Sequence, residues 1–226
     1  MDATLIYILL DEKKNNRITL KGDMFKYLIK VRRHNLDDEI AVRFKDSMEI
    51  LYRYKIDLIE NRVLELSLLK EEKEEIKATQ NLHIAWCVID VKSIEKVLPS
   101  LSEIGVNKIS FISCDRSQNV KLDFKRFDRL LEASMQQCGR STYIEFDTYK
   151  DIESFIKKYP DTKVFDFCEN SLKDGNGFQR VLIGCEGGFS QKEREFLVSQ
   201  EVFRLNTPMV LRSESAVMAV ASKILL

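Results

Sequence analysis

The residues from Ile183 to Ser190, in the order Ile-Gly-Cys-Glu-Gly-Gly-Phe-Ser, hold three of the chain's eight glycines and one carboxylate, Glu186. Glycine permits positive φ and lets a ligand approach the main chain, so such a loop can hold a small molecule through its peptide groups. Two phosphate-binding patterns are absent. Neither G-x-G-x-x-G nor G-x-x-x-x-G-K-[ST] occurs, and no lysine follows the second glycine pair, which disfavours nucleoside triphosphates. A tight turn without a ligand is the other use of these residues. A second stretch, Val210-Leu211-Arg212-Ser213-Glu214-Ser215, sets a cation, two hydroxyls and a carboxylate at the mouth of an apolar helix. Helix N-termini offer free N–H groups and favour anions. Ser213 or Ser215 can cap that helix and Glu214 can complement its dipole, whereas Arg212 beside a buried helix start calls for a partner.

Both stretches need elements to hold them. Val181, Leu182 and Ile183 read as a buried strand, and residues 191–197 as a helix. Ser190 lies three residues before Glu193, which fits a capping box. The loop is therefore strand, glycine turn, capped helix, and in an α/β sheet ligands bind beyond the carboxyl ends of strands. Strands are predicted at 82–89, 108–113, 143–146, 162–168, 181–183 and 202–205. Helices are predicted at 93–104 with Gly105 as C-cap, 124–138, 152–158, 190–199 and 213–226. This β-α-β rhythm predicts a parallel sheet covered on both faces. The earlier residues are β-rich, with strands at 4–10, 39–44, 48–58 and 62–69 and a helix at 22–31. They suggest a small, mostly antiparallel barrel. The charged run 70–75 reads as a solvated linker or edge, which divides the chain into domains 1–70 and 71–226.

Lys+Arg and Asp+Glu are equal at 36 each, so any nucleic-acid site must be a local patch. Residues 13–34 supply one candidate. Lys13, Lys14, Arg17, Lys21, Lys26, Lys30, Arg32 and Arg33 face a single acid, Asp23, with Tyr27 and His34 interleaved as stacking groups. The run is either a solvated surface or a phosphate-contacting face. Cys87, Cys114, Cys138, Cys168 and Cys185 are odd in number and widely spaced. They match no zinc motif and no disulfide framework, so small core residues in a reducing cytoplasm are expected. No apolar run approaches the roughly 18 residues of a membrane span, and residues 1–7 lack the basic start of a signal peptide. No metal site is expected.

The loop from Ile183 to Ser190, then Glu193, then the Val-Leu-Arg-Ser-Glu-Ser-Ala run from Val210 to Ala216, resembles the signature of the 16S rRNA uridine-N3 methyltransferases of the SPOUT superfamily. Glu103-Ile104-Gly105-Val106, Asp115-Arg116-Ser117, and Glu132-Ala133 with Gln137 and Arg140 are similar to further family motifs. Residues 27–39 resemble the family's RNA-binding barrel, with Val31-Arg32-Arg33 where Val-Leu-Arg is usual. The resemblance spans nearly the whole chain. It implies an α/β protein: a small N-terminal β-barrel similar to the PUA fold, then a SPOUT methyltransferase domain with a C-terminal trefoil knot, working as a homodimer. It also implies S-adenosylmethionine as donor, held by three loops. These correspond here to Glu169 with Asn170, then Ile183, Gly184, Cys185, Glu186, Gly187 and Gly188, then Leu205, Asn206 and Leu211. The implied acceptor is N3 of one uridine in the rRNA of the small ribosomal subunit.

A methyl sulfonium is already electrophilic, so the protein must chiefly align donor and acceptor. Uridine N3 carries a proton and needs a base, or a positive group facing the developing anion. Arg212 and Arg140 are the candidates for that positive group, with Glu214 orienting Arg212 and Glu186 serving as base or loop holder. Lys26, Lys30, Arg32, Arg33 and Arg116 are the candidates for holding the RNA backbone, joined by Lys121, Lys125, Arg126 and Arg129. Neither His34 nor His83 falls in a matched motif. The sequence departs from the family at Cys185, where proline is usual, at Asn206 and Thr207 for Leu-Gly, at Met209 for arginine, at Tyr27 for histidine and at Asp37 for glycine. Two alternatives are a SPOUT enzyme acting on another RNA and a non-catalytic RNA-binding module.

Overall fold

The computed structural model describes residues 7–172 and 177–226. Among them the chain forms two compact units, one running to Ile76 and including Met135–Thr142, the other comprising Lys77–Ser134 and Tyr143–Leu226.

The first unit is a five-stranded sheet in the order β1-β3-β4-β5-β2. Its strands are β1 (Ile8–Leu10), β2 (Arg17–Lys21), β3 (Glu39–Phe44), β4 (Ile50–Glu60) and β5 (Val63–Lys73). All neighbours are antiparallel except β1 and β3. The sheet is mostly antiparallel, as expected, but it has two ends, β1 and β2, so among the described residues it is an open mixed sheet. The part of the first predicted strand at 4–6 lies outside the described residues. β2 was not expected. Its period-two pattern buries Ile18 and Leu20 and exposes Arg17, Thr19 and Lys21, but it sits inside the basic run, whose charge hides the alternation. The charged run at 70–75 is not a linker, because β5 continues through Lys73. The β4–β5 turn places Asn61 and Arg62 at positive φ, 50° and 63°, a twist that suits a tight hairpin. The helix expected at 22–31 is α1 (Gly22–Lys26), which continues as a π-helical turn over Tyr27–Val31. Phe25 and Leu28 join Ile18, Leu20, Val42, Phe44, Tyr54 and Leu64 in the core.

The second unit is a six-stranded, all-parallel sheet in the order β11-β9-β10-β6-β7-β8. The strands are β6 (His83–Cys87), β7 (Lys108–Ile112), β8 (Glu145–Tyr149), β9 (Lys163–Phe165), β10 (Arg180–Ile183) and β11 (Val202–Phe203). The helices are α2 (Val91–Ile104), α3 (Phe124–Cys138), α4 (Ile152–Lys158), α5 (Gln191–Phe196) and α6 (Ser213–Leu225). Every expected β and α element appears, with ends shifted by a few residues. Burial of β6 and β10 from both faces explains their uninterrupted apolar runs. Gly105 ends α2 at φ 107°, accepting the left-handed backbone that a C-cap requires. The chain builds β6, β7 and β8 toward one edge, then crosses to β9 and inserts β10 between β9 and β6. That reversal places the loops after β9 and β10 side by side, where an open α/β sheet forms its crevice. Among the described residues no helix is long and apolar enough to cross a membrane.

The cysteines differ from expectation. Cys87, at the end of β6, and Cys114, just past β7, form a disulfide. Cys185 is buried, but Cys138 and Cys168 are only half-buried and are not core residues.

Candidate active site

A cavity of about 600 Å³ opens at the carboxyl ends of β9 and β10 in the second unit. Its size falls within the roughly 300–1,000 Å³ of small-molecule sites. Three chain segments wall it: 165–169 after β9, 183–189 after β10, and the run from Arg204 to Leu211 after β11. Of the residues expected to hold the donor, Glu169, Ile183, Gly184, Cys185, Glu186, Gly187, Gly188, Leu205 and Leu211 all line it. Asn206 does not; it sits exposed on a bend between the lining residues Leu205 and Thr207. Sequence reasoning missed Phe165, Asp166, Phe167, Arg194 and Arg204, which also line the cavity. Their position at the ends of predicted strands and on the capped helix was the available signal.

The glycine loop is held from every side. Ser190 caps α5, its hydroxyl accepting from the Glu193 N–H at 3.2 Å while the Glu193 carboxylate accepts from the Ser190 N–H at 2.7 Å, the expected capping box. The second Glu193 oxygen accepts from the Asp115 N–H at 2.9 Å, and the Ser190 hydroxyl donates to Asp115. Arg116 Nη1 donates to the Gly187 carbonyl at 2.6 Å. Arg116 therefore braces the loop, and its remaining guanidinium donors stay on the exposed side. Arg194, on α5, pairs with Asp166 at 2.7 Å and so ties the loop after β10 to the loop after β9.

The glycines act mainly on the loop itself. Gly188 sits at φ 64°, a left-handed conformation, and its N–H closes a turn on the Cys185 carbonyl at 2.9 Å. A Cβ on Gly187 would lie 3.2 Å from Arg116 Cδ, so a side chain there would press on the brace before it reached the cavity. Burial pushes the Cys185 thiol pKa up, which keeps it protonated and makes it a packing residue where proline is usual.

The start of α6 seals the opposite wall. Ser213 is buried; its hydroxyl accepts from the Trp86 indole N–H at 2.8 Å and donates to the Gly184 carbonyl at 2.6 Å. A single hydroxyl thereby joins β6, the glycine loop and α6.

The expected catalytic residues are distributed differently. Arg212 and Glu214 line a second recess, adjoining the first through Val210 and Leu211. Among the described residues no ion pair joins Arg212 to Glu214. Arg140 belongs to the first unit and is buried, with its Nε donating to the Thr142 carbonyl at 2.6 Å. It lines neither cavity, and its peptide carbonyl accepts from the Tyr7 hydroxyl at 2.6 Å. These bonds hold the Arg140 side chain against its own segment, apart from both cavities. Of the proposed RNA contacts, Lys26, Lys30 and Arg33 are exposed, with Lys26 paired to Asp23 at 2.9 Å. Arg32 is half-buried over the Tyr27 ring, 5.7 Å from its centroid. His34 Nδ1 lies 3.3 Å from the Asp38 carboxylate, which fixes the ring by an in-plane contact. Arg126 is engaged by Glu95.

The cavity fits a donor made of a flat base, a sugar and a cationic sulfonium amino acid. Its wall is mostly apolar, including Phe165, Ile183, Leu205 and Leu211, and Glu169 and Glu186 bring carboxylates with no cation partner among the described residues. A positively charged ligand is thus matched without burial of an unpaired anion.

Residues 76–225 match the RNA methyltransferase domain family. The ribosomal RNA small subunit methyltransferase E of Helicobacter pylori is 36% identical over 215 residues, covering 92% of this chain and 94% of that protein. A crystal structure of a ribosomal RNA small subunit methyltransferase E from Neisseria gonorrhoeae bound to S-adenosyl methionine shares the fold. Its TM-score is 0.74 at 18% identity, covering 97% of this chain and 96% of that one. A Legionella pneumophila methyltransferase in complex with the bound cofactor SAM also has a TM-score of 0.74 at 18% identity, covering 96% of each chain. The matched domain contains the braced glycine loop and the whole cavity, and the Helicobacter protein matches over nearly the full length of the chain: this protein is a member of the RNA methyltransferase family of the ribosomal RNA small subunit methyltransferase E proteins.

Proposed function

We propose that this chain transfers a methyl group from S-adenosylmethionine to N3 of a specific uridine in the 16S rRNA of the small ribosomal subunit. The observation that carries this is the cavity of about 600 Å³ built on the peptide groups of the loop after β10, in a chain 36% identical to a ribosomal RNA small subunit methyltransferase E. Glu169, Ile183–Gly188, Leu205 and Leu211 hold the donor, with Asn206 keeping the third loop in its bend. The bound donor supplies an electrophilic methyl group on a sulfonium. Arg212 faces the acceptor and offsets the negative charge that grows on the pyrimidine ring as N3 loses its proton. Glu214 works beside it on the same recess. Exposed Lys26, Lys30 and Arg33 of the first unit hold RNA phosphates, a role consistent with a PUA-like character of that unit.

The bond from Ser213 at the start of α6 to Gly184 after β10 supports a C-terminal segment returned against an earlier loop, as in a trefoil knot. Large apolar side chains exposed on the second unit outside both cavities, among them Val198 at 83% and Leu226 at 89%, support a homodimer.

The deciding experiment incubates the purified chain and donor with small subunits from a strain lacking its gene, then maps methylated rRNA fragments by mass spectrometry. One new methyl on a single uridine is expected. A methyl on another RNA alone, or donor binding without any methyl transfer, overturns the assignment.

A further inference from the structure

The second recess, of about 430 Å³, lies between α2 and α6. Lys96 and Val97 form one side, Val210, Leu211 and Arg212 the next, and Met218 the floor. Val210 and Leu211 also line the donor cavity, so the two spaces adjoin along one segment of chain.

Its charges are unbalanced in an informative way. On α2, Glu95 is already neutralised by Arg126. Arg116, Arg180 and Arg194 of the same unit are each spent on a carbonyl or a carboxylate. The side chains of Lys96 and Arg212 have neither a hydrogen bond nor an ion pair among the described residues, and both residues are exposed. Glu214 is the one carboxylate of the recess, and no ion pair engages it among the described residues. Two cations beside an apolar floor suit a ligand with a planar, weakly polar part and at least one full negative charge. A nucleotide is such a ligand, its base suited to Val97, Leu211 and Met218 and its phosphate to a lysine.

We propose that this recess receives the acceptor nucleotide, with Lys96 holding a phosphate that flanks the target base. The inference rests on the methyltransferase function proposed for the donor cavity. Lys96 is a substrate-positioning group. It leaves the donor alone and does not move the proton.

The test compares the full-length wild-type chain with Lys96→Ala, Lys96→Glu and Lys96→Arg, measuring three quantities. These are donor affinity by calorimetry, KM and kcat with small-subunit rRNA, and the dependence of KM on salt. Lys96→Ala is expected to raise KM for RNA about tenfold, the effect of one lost charge-assisted bond. It should also lower the salt slope by about 0.7, the value for one phosphate on a single strand. Lys96→Glu should act more strongly, Lys96→Arg should restore both, and donor affinity and kcat should stay within about twofold. An unchanged KM and salt slope in Lys96→Ala overturns the proposal, and so does an equal fall in donor affinity. A wild-type chain that binds RNA and donor but transfers no methyl overturns the proposed function instead, and the salt slope of RNA binding alone still decides whether Lys96 holds a phosphate.

Discussion

Removal of one hydroxyl, in Ser213→Ala, should both destabilise the second unit and loosen the donor cavity. Trp86 is fully buried and Ser213 is 4% exposed, so the indole N–H that now donates at 2.8 Å would have no solvent to turn to. A buried donor left without a partner costs about 1–3 kcal/mol. The Gly184 carbonyl, which accepts at 2.6 Å, is half-exposed and recovers water, so its loss adds about 0.5–1 kcal/mol. The expected total is roughly 2–4 kcal/mol, read as a lower urea midpoint at an unchanged slope. Gly184 lines the cavity, so donor affinity should fall as well, by about tenfold for each 1.4 kcal/mol of strain passed to the loop. Ser213→Thr keeps the hydroxyl and serves as the control. The double variant Trp86→Phe with Ser213→Ala removes both partners and should lose less than the two single losses added together, because no orphaned donor remains. Additivity within about 0.5 kcal/mol would show that the indole and the hydroxyl do not interact, and the reasoning would fail.

Other measurements test other parts of the structure. Burial first, then the nearby Arg180 and Lys108, push the pKa of His83 down to about 4, and its neutral ring accepts from Arg180 Nε and bonds Ser110. The unfolded chain takes up the proton near pH 6.5, so this contribution is intact above that pH and is lost as pH falls toward the folded value. Stability should drop by about 2 kcal/mol between pH 7.5 and 5, and His83→Gln should flatten that slope; an equal slope in the variant refutes it. Gly105→Ala should cost about 3 kcal/mol, because the backbone is left-handed at φ 107° and the new Cβ would lie 2.7 Å from Ala78 Cβ. An unchanged urea midpoint would contradict that geometry. Thiol titration of the unreduced, denatured chain should count three cysteines, Cys138, Cys168 and Cys185, and five after reduction; five from the start would exclude the Cys87–Cys114 bond. Arg212→Ala should lower kcat by about a hundredfold with donor affinity nearly unchanged. An equal fall in both would make Arg212 a donor ligand.

The sequence by itself determined the features whose signals lie within a few residues of each other. Ser190 and Glu193 are three positions apart, so the capping box was legible, and with it the strand–glycine turn–helix unit that carries the cavity. Gly105 announced the end of α2, and the alternation of apolar runs announced the parallel sheet. β2 was lost because its two buried residues, Ile18 and Leu20, are interleaved with charges that belong to the exposed face.

Tertiary structure alone decided which distant residues meet. Cys87 and Cys114 are 27 positions apart and come together only because β6 and β7 are neighbours. Arg116 reaches Gly187 across 71 positions, and Ser213 reaches Trp86 across 127. Arg140 carried a family motif and yet folds into the first unit, bonded to its own chain. Local chemistry is written in spacing, because adjacent residues share one helix turn or one strand face. Which loop braces which depends on strand order, and that order follows from packing the whole sheet at once.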